Sequence, residues 1–353
     1  MDDSRRQFMK LSLAAAAAAS GTLLPPATPA APQSMAENPI PAKLTPTRDL
    51  RLVSFAPGAG ASIRVGAVQA SGRVVDLVAE AARQSIPLSF DPAHMVSLIT
   101  AGSQGLADVR KLLAKAKDDG PLVKDVRLFP PIPVPARNVY AVGWNYLEHF
   151  EEGKALRDPK QELPDHPVFF TKGTHVVNGP YDPIPFNSAV STMIDWEGEL
   201  AVIIGKRGLN IPEDKAIEHV FGFSVINDTT ARDVQQKKHG GQWFKGKSLD
   251  GHGPIGPWIV TAGELDYNSL HLVTRVNGVV KQDASTGQMY FKVPRIIAEL
   301  SAGLTLEPGD IIATGTPPGV GFARKPPEFL KPGDVMETEI SGIGLIRNVI
   351  TQV

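Results

Sequence analysis

Two closely spaced glutamates lead directly into an apolar run, and this combination restricts the fold of the chain most strongly. Glu199 is the first residue of the segment 199–204, Glu-Leu-Ala-Val-Ile-Ile, and Glu197 lies two residues before it. A run that is apolar on both faces predicts an inner strand of a sheet. Side chains alternate along a strand, so the two glutamates share one face, with Cα atoms about 6.6 Å apart. Two buried carboxylates need compensation, which a bound cation would supply.

The same glutamates allow a second interpretation, in which one faces solvent at the strand end and the other pairs with a lysine or arginine. A third acidic residue favours the cation. Asp228 follows another apolar run, residues 221–226, and precedes a predicted helix start at residues 229–235. Taken alone, Asp228 would be interpreted as a helix N-cap.

Three carboxylates, with the remaining positions left to water and substrate, are typical of Mg²⁺ or Mn²⁺ sites. The chain contains no cysteine, and none of its eight histidines lies in an H-E-x-x-H pattern. A zinc site therefore has little support.

Four ordered motifs resemble the fumarylacetoacetate hydrolase family. They are Asp-Trp-Glu-Gly-Glu-Leu at 195–200, Asn-Asp-Thr-Thr-Ala-Arg-Asp-Val-Gln at 227–235, Lys-Gly-Lys-Ser at 245–248 and Thr-Gly-Thr-Pro-Pro-Gly-Val-Gly at 314–321. The resemblance extends from residue 135 to the C-terminus. It implies a metal-dependent enzyme for a small oxo acid, usually a homodimer. Segments 241–243, 253–258 and 325–327 are most similar to a bacterial branch of acylpyruvase-like, diketo-sugar-acid and ureidoglycolate-type enzymes.

The resemblance assigns roles to two groups of residues. Glu197, Glu199 and Asp228 match the three metal carboxylates of the family. His149 and Glu152 match a catalytic dyad in which the histidine takes a proton from water and the glutamate fixes its tautomer. A spacing of three lets this pair meet on one helical face. The alternative for the dyad is a solvated helix face, because the neighbouring residues are polar.

Four further positions are similar to substrate-contacting residues of the family. Arg232 and Gln235 match residues that contact the substrate, and Lys247 matches a catalytic lysine directed at the reacting carbonyl. Thr316 matches a loop position that meets the substrate carboxylate. As alternatives, Arg232 pairs with Asp228 or Asp233, and Thr316 only shapes a turn.

Two motif matches are rejected as nucleotide sites. Residues 241–248 satisfy the P-loop pattern G-x-x-x-x-G-K-S, but a polar helical stretch precedes them and Pro254 follows closely. A P-loop requires a strand before it and a helix after it. Residues 251–256 satisfy G-x-G-x-x-G by chance, within a loop.

The N-terminus predicts export. Arg5 and Arg6 lie in a segment that resembles a twin-arginine signal, followed by an apolar stretch at 11–24 that is too short to span a membrane. We therefore expect a signal peptide at 1–36, cleaved after Ala36 or Ala30, and a periplasmic or exported protein that engages the twin-arginine export machinery. An uncleaved anchor is the alternative. The absence of cysteine fits an exported protein that needs no disulfides.

Composition excludes some partners. Residues 1–36 carry three basic and two acidic residues, so the remainder has 36 − 3 = 33 basic and 37 − 2 = 35 acidic residues, a net charge of −2. This balance does not favour nucleic acid or a membrane surface.

We expect a β-rich α+β protein in which a small α/β domain precedes a catalytic domain with a mixed β-sandwich roll. The predicted order is a Pro-rich tether at 37–47, the small domain at 48–130 and the catalytic domain at 131–353. In the small domain, strands are predicted at 50–55, 63–69 and 73–77 and helices at 91–101 and 104–117. A catalytic-domain helix is predicted at 294–301.

The expected reaction is hydrolysis of a carbon–carbon bond in a 2,4-dioxo acid, an acylpyruvate or a fumarylacetoacetate-like compound. The metal would stabilise the departing enolate, and His149 would activate the attacking water, releasing pyruvate or a related 2-oxo acid. Without the water step, the same site would decarboxylate or tautomerise an oxaloacetate-like acid. A lyase or isomerase for ureidoglycolate or diketo-sugar acids is a further alternative.

A non-enzymatic module that binds small oxo acids would need the metal and Arg232 but not His149 and Glu152. The presence of both dyad residues favours an enzyme. Residues 145–165 carry the base and are rich in charged side chains, so we expect them to close over the substrate.

Overall fold

The structure is a computed structural model that describes residues 39–40, 43–154 and 162–353. The predicted signal peptide and part of the predicted tether, together with the centre of the predicted lid, lie outside these residues. None of the described helices is both long and apolar enough to cross a bilayer.

The described strands are numbered in chain order. They are β1 Arg51–Ala56, β2 Arg64–Val68, β3 Val74–Asp76, β4 Arg127–Phe129, β5 Val139–Gly143, β6 Val168–Lys172, β7 Val177–Asn178, β8 Ile184–Phe186, β9 Ile194–Asp195, β10 Gly198–Ile204, β11 Val220–Asn227, β12 Thr230–Ala231, β13 Gly253–Thr261, β14 His271–Val276, β15 Val279–Ser285, β16 Ile311–Ala313, β17 Val335–Ile340 and β18 Gly344–Gln352.

The α-helices are fewer and mostly short. They are α1 Leu77–Gln84, α2 Met95–Leu113, α3 Leu147–Glu152, α4 Arg232–Lys237, α5 Phe244–Lys247 and α6 Val293–Ser301. Short 3-10 turns connect several strands. Pro294 lies in the first turn of α6, where its missing N–H is not needed.

The main sheet has the order β3-β2-β1-β13-β11-β10-β16-β5-β6, with β4 and β7 pairing at its side. Strand β10 is buried along its whole length and lies between β11 and β16. The apolar run at 200–204 is therefore an inner strand, as its sequence predicts. Burial on both faces explains why these positions are uniformly apolar.

A second sheet has the order β15-β14-β17-β18-β8 and packs against the first. Leu200 and Phe223 of the main sheet share one apolar core with Leu272, Ile340 and Ile346 of the second sheet. A two-stranded pair, β12 with β9, lies beside the site described below. The β-rich α+β fold with mixed sheets is thus confirmed.

The small N-terminal segment continues the main sheet. Strand β1 pairs with β13, and Leu52 and Leu98 belong to the same apolar cluster as Ile203 and Ile259. Helix α2 is interrupted at Gly102, with φ 55° and ψ −131°, between the two helices that the sequence predicts. The domain boundary at residue 130 stays a prediction.

Candidate metal and substrate site

Antiparallel pairing brings the three predicted metal carboxylates together. Gly198 of β10 lies opposite Asn227 of β11. Glu197 and Glu199 are the chain neighbours of Gly198, and Asp228 follows Asn227, so this pairing places the three carboxylates near one another. One carboxylate oxygen from each of the three lies within 4.8 Å of the others, and all three residues are buried. Asp228 does not cap a helix, because α4 follows Ala231, which makes no side-chain capping bond.

Three buried cations contact this cluster. Lys247 Nζ donates to Glu197 Oε2 at 2.5 Å and to Asp228 Oδ2 at 2.7 Å. Arg232 Nη2 lies 2.6 Å from Glu197 Oε1, and Lys172 Nζ lies 2.6 Å from Asp228 Oδ1. Lys172 is not among the site residues predicted from the sequence. A lysine that ends an otherwise apolar strand segment, Val-Phe-Phe-Thr-Lys, is the signal that could have indicated it.

Glu199 differs from the other acidic residues of the cluster. It accepts a hydrogen bond from the Gly315 backbone N–H at 2.7 Å, and no cation of the described residues lies within ion-pair distance of it. Burial, with Asp228 and Glu197 nearby, raises the pKa of Glu199 well above its ordinary value. Burial also raises the pKa of Glu197, but Lys247 and Arg232 outweigh it and lower that pKa to about 2.

The charge balance fits a divalent cation. With Asp195, four buried carboxylates face three buried cations, Lys172, Arg232 and Lys247. An ionised, unpaired Glu199 would be costly in this environment. Oxygen ligands of this kind suit Mg²⁺ or Mn²⁺, and the residues present fit such an ion at Glu197, Glu199 and Asp228.

Asp195 fixes the guanidinium of Arg232. Arg232 Nε donates to Asp195 Oδ2 at 2.7 Å, and its Nη1 donates to Gln235 Oε1 at 3.1 Å. Phe322 stacks on the guanidinium, with the ring centroid 4.2 Å from Cζ. Asp195 also accepts the backbone N–H groups of Gly321 and Phe322.

Arg232 thus pairs with Asp195 and Glu197 and not with Asp228 or Asp233, the aspartates that the sequence offers as alternative partners. Asp195 is a second residue of the site that is not predicted from the sequence, although it begins the first of the four motifs.

The predicted dyad is formed on helix α3. His149 Nδ1 lies 2.7 Å from Glu152 Oε1, and Glu152 Oε2 accepts the Gly319 N–H at 2.8 Å. An ionised Glu152 is an acceptor, so Nδ1 carries the proton and Nε2 is the proton-accepting atom of the ring. His149 is buried and lines the cavity next to the carboxylates, which rules out a solvated helix face.

Thr316 lies in the loop that follows β16. Its Oγ1 donates to the Gly198 carbonyl at 3.0 Å and accepts from Gln282 Nε2 at 2.7 Å. The adjacent Gly315 has φ 97°, and a Cβ there would lie 2.6 Å from the Cβ of Asn145. The glycine is required for this close approach.

One cavity of about 330 Å³ joins these groups. Its charged side includes the candidate ligands Glu197 and Glu199 together with the predicted catalytic and substrate residues His149, Lys247, Arg232, Gln235 and Thr316. The aromatic rings of Trp144, Phe170, Trp243 and Phe322 also line it. The segment that satisfies the P-loop pattern follows a 3-10 turn and ends in the four-residue helix α5, so it has neither the strand nor the helix of a phosphate site.

Comparison with known proteins gives consistent relatives. Residues 138–351 match the family described as fumarylacetoacetate (FAA) hydrolase C-terminal. Oxaloacetate tautomerase YisK of Bacillus subtilis (strain 168) is 39% identical over 294 residues, 81% of this chain and 95% of the relative. The mitochondrial oxaloacetate tautomerase fahd2 of Xenopus laevis is 38% identical over 314 residues, 87% of this chain and 92% of the relative.

Solved structures show the same relationship. A fumarylacetoacetate hydrolase from psychrophilic Exiguobacterium antarcticum is 37% identical with a TM-score of 0.71, covering 86% of this chain and 100% of that one. Maleylpyruvate hydrolase from Sphingobium sp. SYK-6, solved with manganese(II) and pyruvate, is 29% identical with a TM-score of 0.66, covering 86% and 99%.

Proposed function

This chain belongs to the fumarylacetoacetate hydrolase family, and from that premise we propose that it is a divalent-metal-dependent enzyme that interconverts the keto and enol forms of oxaloacetate or a closely similar 2-oxo acid. One observation carries the proposal. A buried base, His149, lines the same cavity as Glu197 and Glu199, the carboxylates best suited to hold the metal. Base and cation side by side are what enolisation next to a carbonyl requires.

Glu197, Glu199 and Asp228 would hold Mg²⁺ or Mn²⁺. The fit of the donor set supports this assignment, and a similar solved structure is described with manganese(II) and pyruvate. A bound divalent cation would stabilise the negative charge that develops on the 2-oxo group as the enolate forms.

The side chains would divide the remaining work. His149 Nε2 takes a proton from C3 of the keto acid, and Glu152 keeps Nδ1 protonated and the ring oriented. Lys247 would donate a hydrogen bond to the oxygen that gains charge and then a proton to it, which completes the enol, and it would regain that proton from His149 through solvent. Arg232 and Gln235, with Thr316, would bind the second carboxylate of a four-carbon diacid.

Hydrolysis of a carbon–carbon bond, the first expectation from the sequence, becomes the second candidate. The relatives that are 39% and 38% identical carry the name oxaloacetate tautomerase, which favours the alternative that omits the water step. The similarity to two solved hydrolases, a fumarylacetoacetate hydrolase and a maleylpyruvate hydrolase, keeps hydrolysis open. His149 would then deprotonate water in place of C3.

The two candidates differ in their products. The protein is incubated with Mg²⁺ or Mn²⁺ and either enol-oxaloacetate or acetylpyruvate, and enol absorbance, carbon dioxide and pyruvate are followed. We expect faster loss of the enol without faster carbon dioxide release, and little pyruvate from acetylpyruvate. His149→Gln should slow the enol reaction by about 10²–10⁴-fold, the usual contribution of a general base. Pyruvate release from acetylpyruvate with unchanged enol decay would overturn tautomerisation in favour of hydrolysis.

A further inference from the structure

The cavity contains an apolar side that a four-carbon diacid does not use. Trp144, Phe170 and Trp243 line it together with the charged groups, and each of the three residues is only partly buried. The cavity volume of about 330 Å³ falls within the range of about 300–1,000 Å³ that is typical of small-molecule pockets. An oxaloacetate molecule has no apolar group to place against these rings.

The three rings form a continuous path that starts at Lys247. Its Nζ lies 5.0 Å from the centroid of Phe170. Phe170 contacts Trp243 edge to face at 5.3 Å and 72°, and Trp243 contacts Trp144 at 5.0 Å and 79°. The three rings therefore form one contiguous aromatic surface of the cavity that begins beside Lys247, and we call it the aromatic wall (Trp144, Phe170 and Trp243).

The backbone is built to hold this wall in place. A Cβ at Gly143 would lie 2.5 Å from Cζ3 of Trp243, so glycine lets β5 lie against the indole. Trp144 has φ 55°, a left-handed conformation that is rare for a bulky residue. Such conformations concentrate at ligand-binding sites. Trp144 also packs on Phe150 of α3, the helix that carries His149.

We propose that the aromatic wall determines specificity and that it lets the enzyme accept, besides a four-carbon diacid, 2-oxo acids with an aryl group on the carbon chain distal to the 2-oxo carboxylate. This inference rests on the proposed function, because the charged side must bind the 2-oxo acid head. The aryl ring of the substrate packs against Phe170 and Trp243 in the same edge-to-face manner in which these two rings pack against each other. Trp243, at the centre of the wall, contributes most.

The test compares two ligands that share one head group. Acetylpyruvate and benzoylpyruvate differ by a methyl against a phenyl group. Binding is measured by calorimetry with Mg²⁺ in a His149→Gln background, so that neither compound is turned over. We expect benzoylpyruvate to bind at least about tenfold more tightly, since a phenyl group buries more apolar surface than a methyl group.

Three further substitutions, each made in the His149→Gln protein, distinguish a contribution of the aromatic wall from general damage to the structure. Trp243→Ala should reduce the tenfold ratio to below about threefold, because the central ring is lost. Trp243→Phe keeps a ring and should retain most of the ratio. Phe244→Ala removes the neighbouring exposed aromatic side chain, which does not line the cavity, and should leave the ratio unchanged.

The outcomes distinguish this inference from the proposed function. Equal affinity for the two ligands in the His149→Gln parent overturns the aromatic wall and leaves the 2-oxo acid site intact. No binding of either ligand overturns the aromatic wall, and the proposed function is overturned with it only if wild-type protein also fails to accelerate the decay of enol-oxaloacetate. A tenfold ratio that Trp243→Ala does not change also overturns the role of the wall.

Discussion

At the scale of single residues, the site depends on an imbalance among buried charges. Lys247, Lys172 and Arg232 neutralise most of the buried carboxylates, but Glu199 has only a backbone N–H of Gly315 as a partner among the described residues. A charged side chain without a counter-ion is strongly destabilised in a protein interior. Glu199 is therefore the residue that most directly reports whether a cation binds here.

Replacement of Glu199 should remove the stabilisation that metal provides. At a metal concentration about 100 times its dissociation constant, the wild-type protein should gain about 2.7 kcal/mol of unfolding free energy. Glu199→Gln should gain far less at the same concentration, measured as the metal-dependent shift in thermal unfolding. The exposed control Glu218→Gln should keep the full gain. An equal shift in Glu199→Gln would contradict its role as a ligand.

His252 makes stability depend on pH. The pKa of His252 is lowered to about 4, mainly by burial and also by the charge of Lys172. The hydrogen bond with the Asp250 carbonyl acts in the opposite direction but is outweighed. The neutral ring is favoured in the folded state, while the unfolded chain takes up a proton near pH 6.5. Stability is thus fully present above about pH 6.5 and is lost as the pH falls from there towards 4.

This loss should amount to roughly 2 kcal/mol between about pH 7 and pH 5. Urea unfolding at the two pH values measures it. His252→Asn should show a pH dependence smaller by that amount, whereas His94→Asn, at an exposed position, should behave as the wild type. The same pH dependence in His252→Asn and wild type would show that other groups cause the loss.

Most of the site residues could be named from the sequence because they belong to short motifs. Glu197 and Glu199 lie two residues apart at the start of β10, and His149 and Glu152 lie about one helical turn apart, so spacing allows each pair to meet, while the roles of these residues are implied by the family resemblance. Lys172 and Asp195 could not be predicted in this way. Their partners Asp228 and Arg232 are far along the chain, and only the folded structure brings them into contact.

At the scale of elements, the loop at 314–323 connects the parts of the site. Its backbone N–H groups bind Glu199, Glu152 and Asp195, which belong to a strand, a helix and a second short strand. The sequence indicates a Gly/Pro-rich turn here, but it does not show which side chains the N–H groups bind. Those contacts depend on how β16 enters the main sheet beside β10.

Gly319 is the position in this loop where a side chain should do most damage. It has φ 104°, and a Cβ would lie 2.0 Å from the Lys281 carbonyl oxygen. Gly319→Ala should therefore cost at least about 2 kcal/mol and lower kcat by displacing the N–H that binds Glu152.

Gly303 provides the matched control. It has φ 75°, and no atom lies within 4 Å of the position that a Cβ would take, so Gly303→Ala should cost only the backbone strain of about 1 kcal/mol. Chemical denaturation and steady-state kinetics on both variants give the comparison. Equal effects of the two substitutions would show that backbone strain alone, and not the clash at Gly319, is responsible.

At the scale of the whole molecule, the N-terminal segment and the catalytic segment share a sheet and a core. Strand β1 covers the edge of β13, and the cluster that contains Leu52 also contains Ile203 and Ile259. The sequence predicts β1, β2, β3 and both halves of α2 in the first segment, because their patterns are local, but it does not predict α1 or β4. It does not predict the pairing of β1 with β13, which joins residues that lie far apart along the chain, such as Leu52 and Ile259.

Removal of residues 1–130 should therefore prevent stable folding of the remainder. The deletion exposes the hydrogen-bonding edge of β13 and part of the apolar cluster, and exposed edges promote aggregation. Size-exclusion chromatography should show aggregated protein. A variant that begins at residue 39 keeps the described part of the chain and should elute as folded protein. A folded, cooperatively unfolding product of the longer deletion would contradict the shared core.

Whether the protein is a metal-dependent tautomerase is decided by the rate at which enol-oxaloacetate converts to the keto form, followed by ultraviolet absorbance. We expect acceleration by wild-type protein with Mg²⁺ or Mn²⁺, loss of that acceleration with a chelator, and recovery when the metal is restored. Glu199→Gln should remain slow by at least about 100-fold at the same metal concentration, because a ligand is missing. Full acceleration in the chelated protein or in Glu199→Gln would contradict a metal-dependent tautomerase.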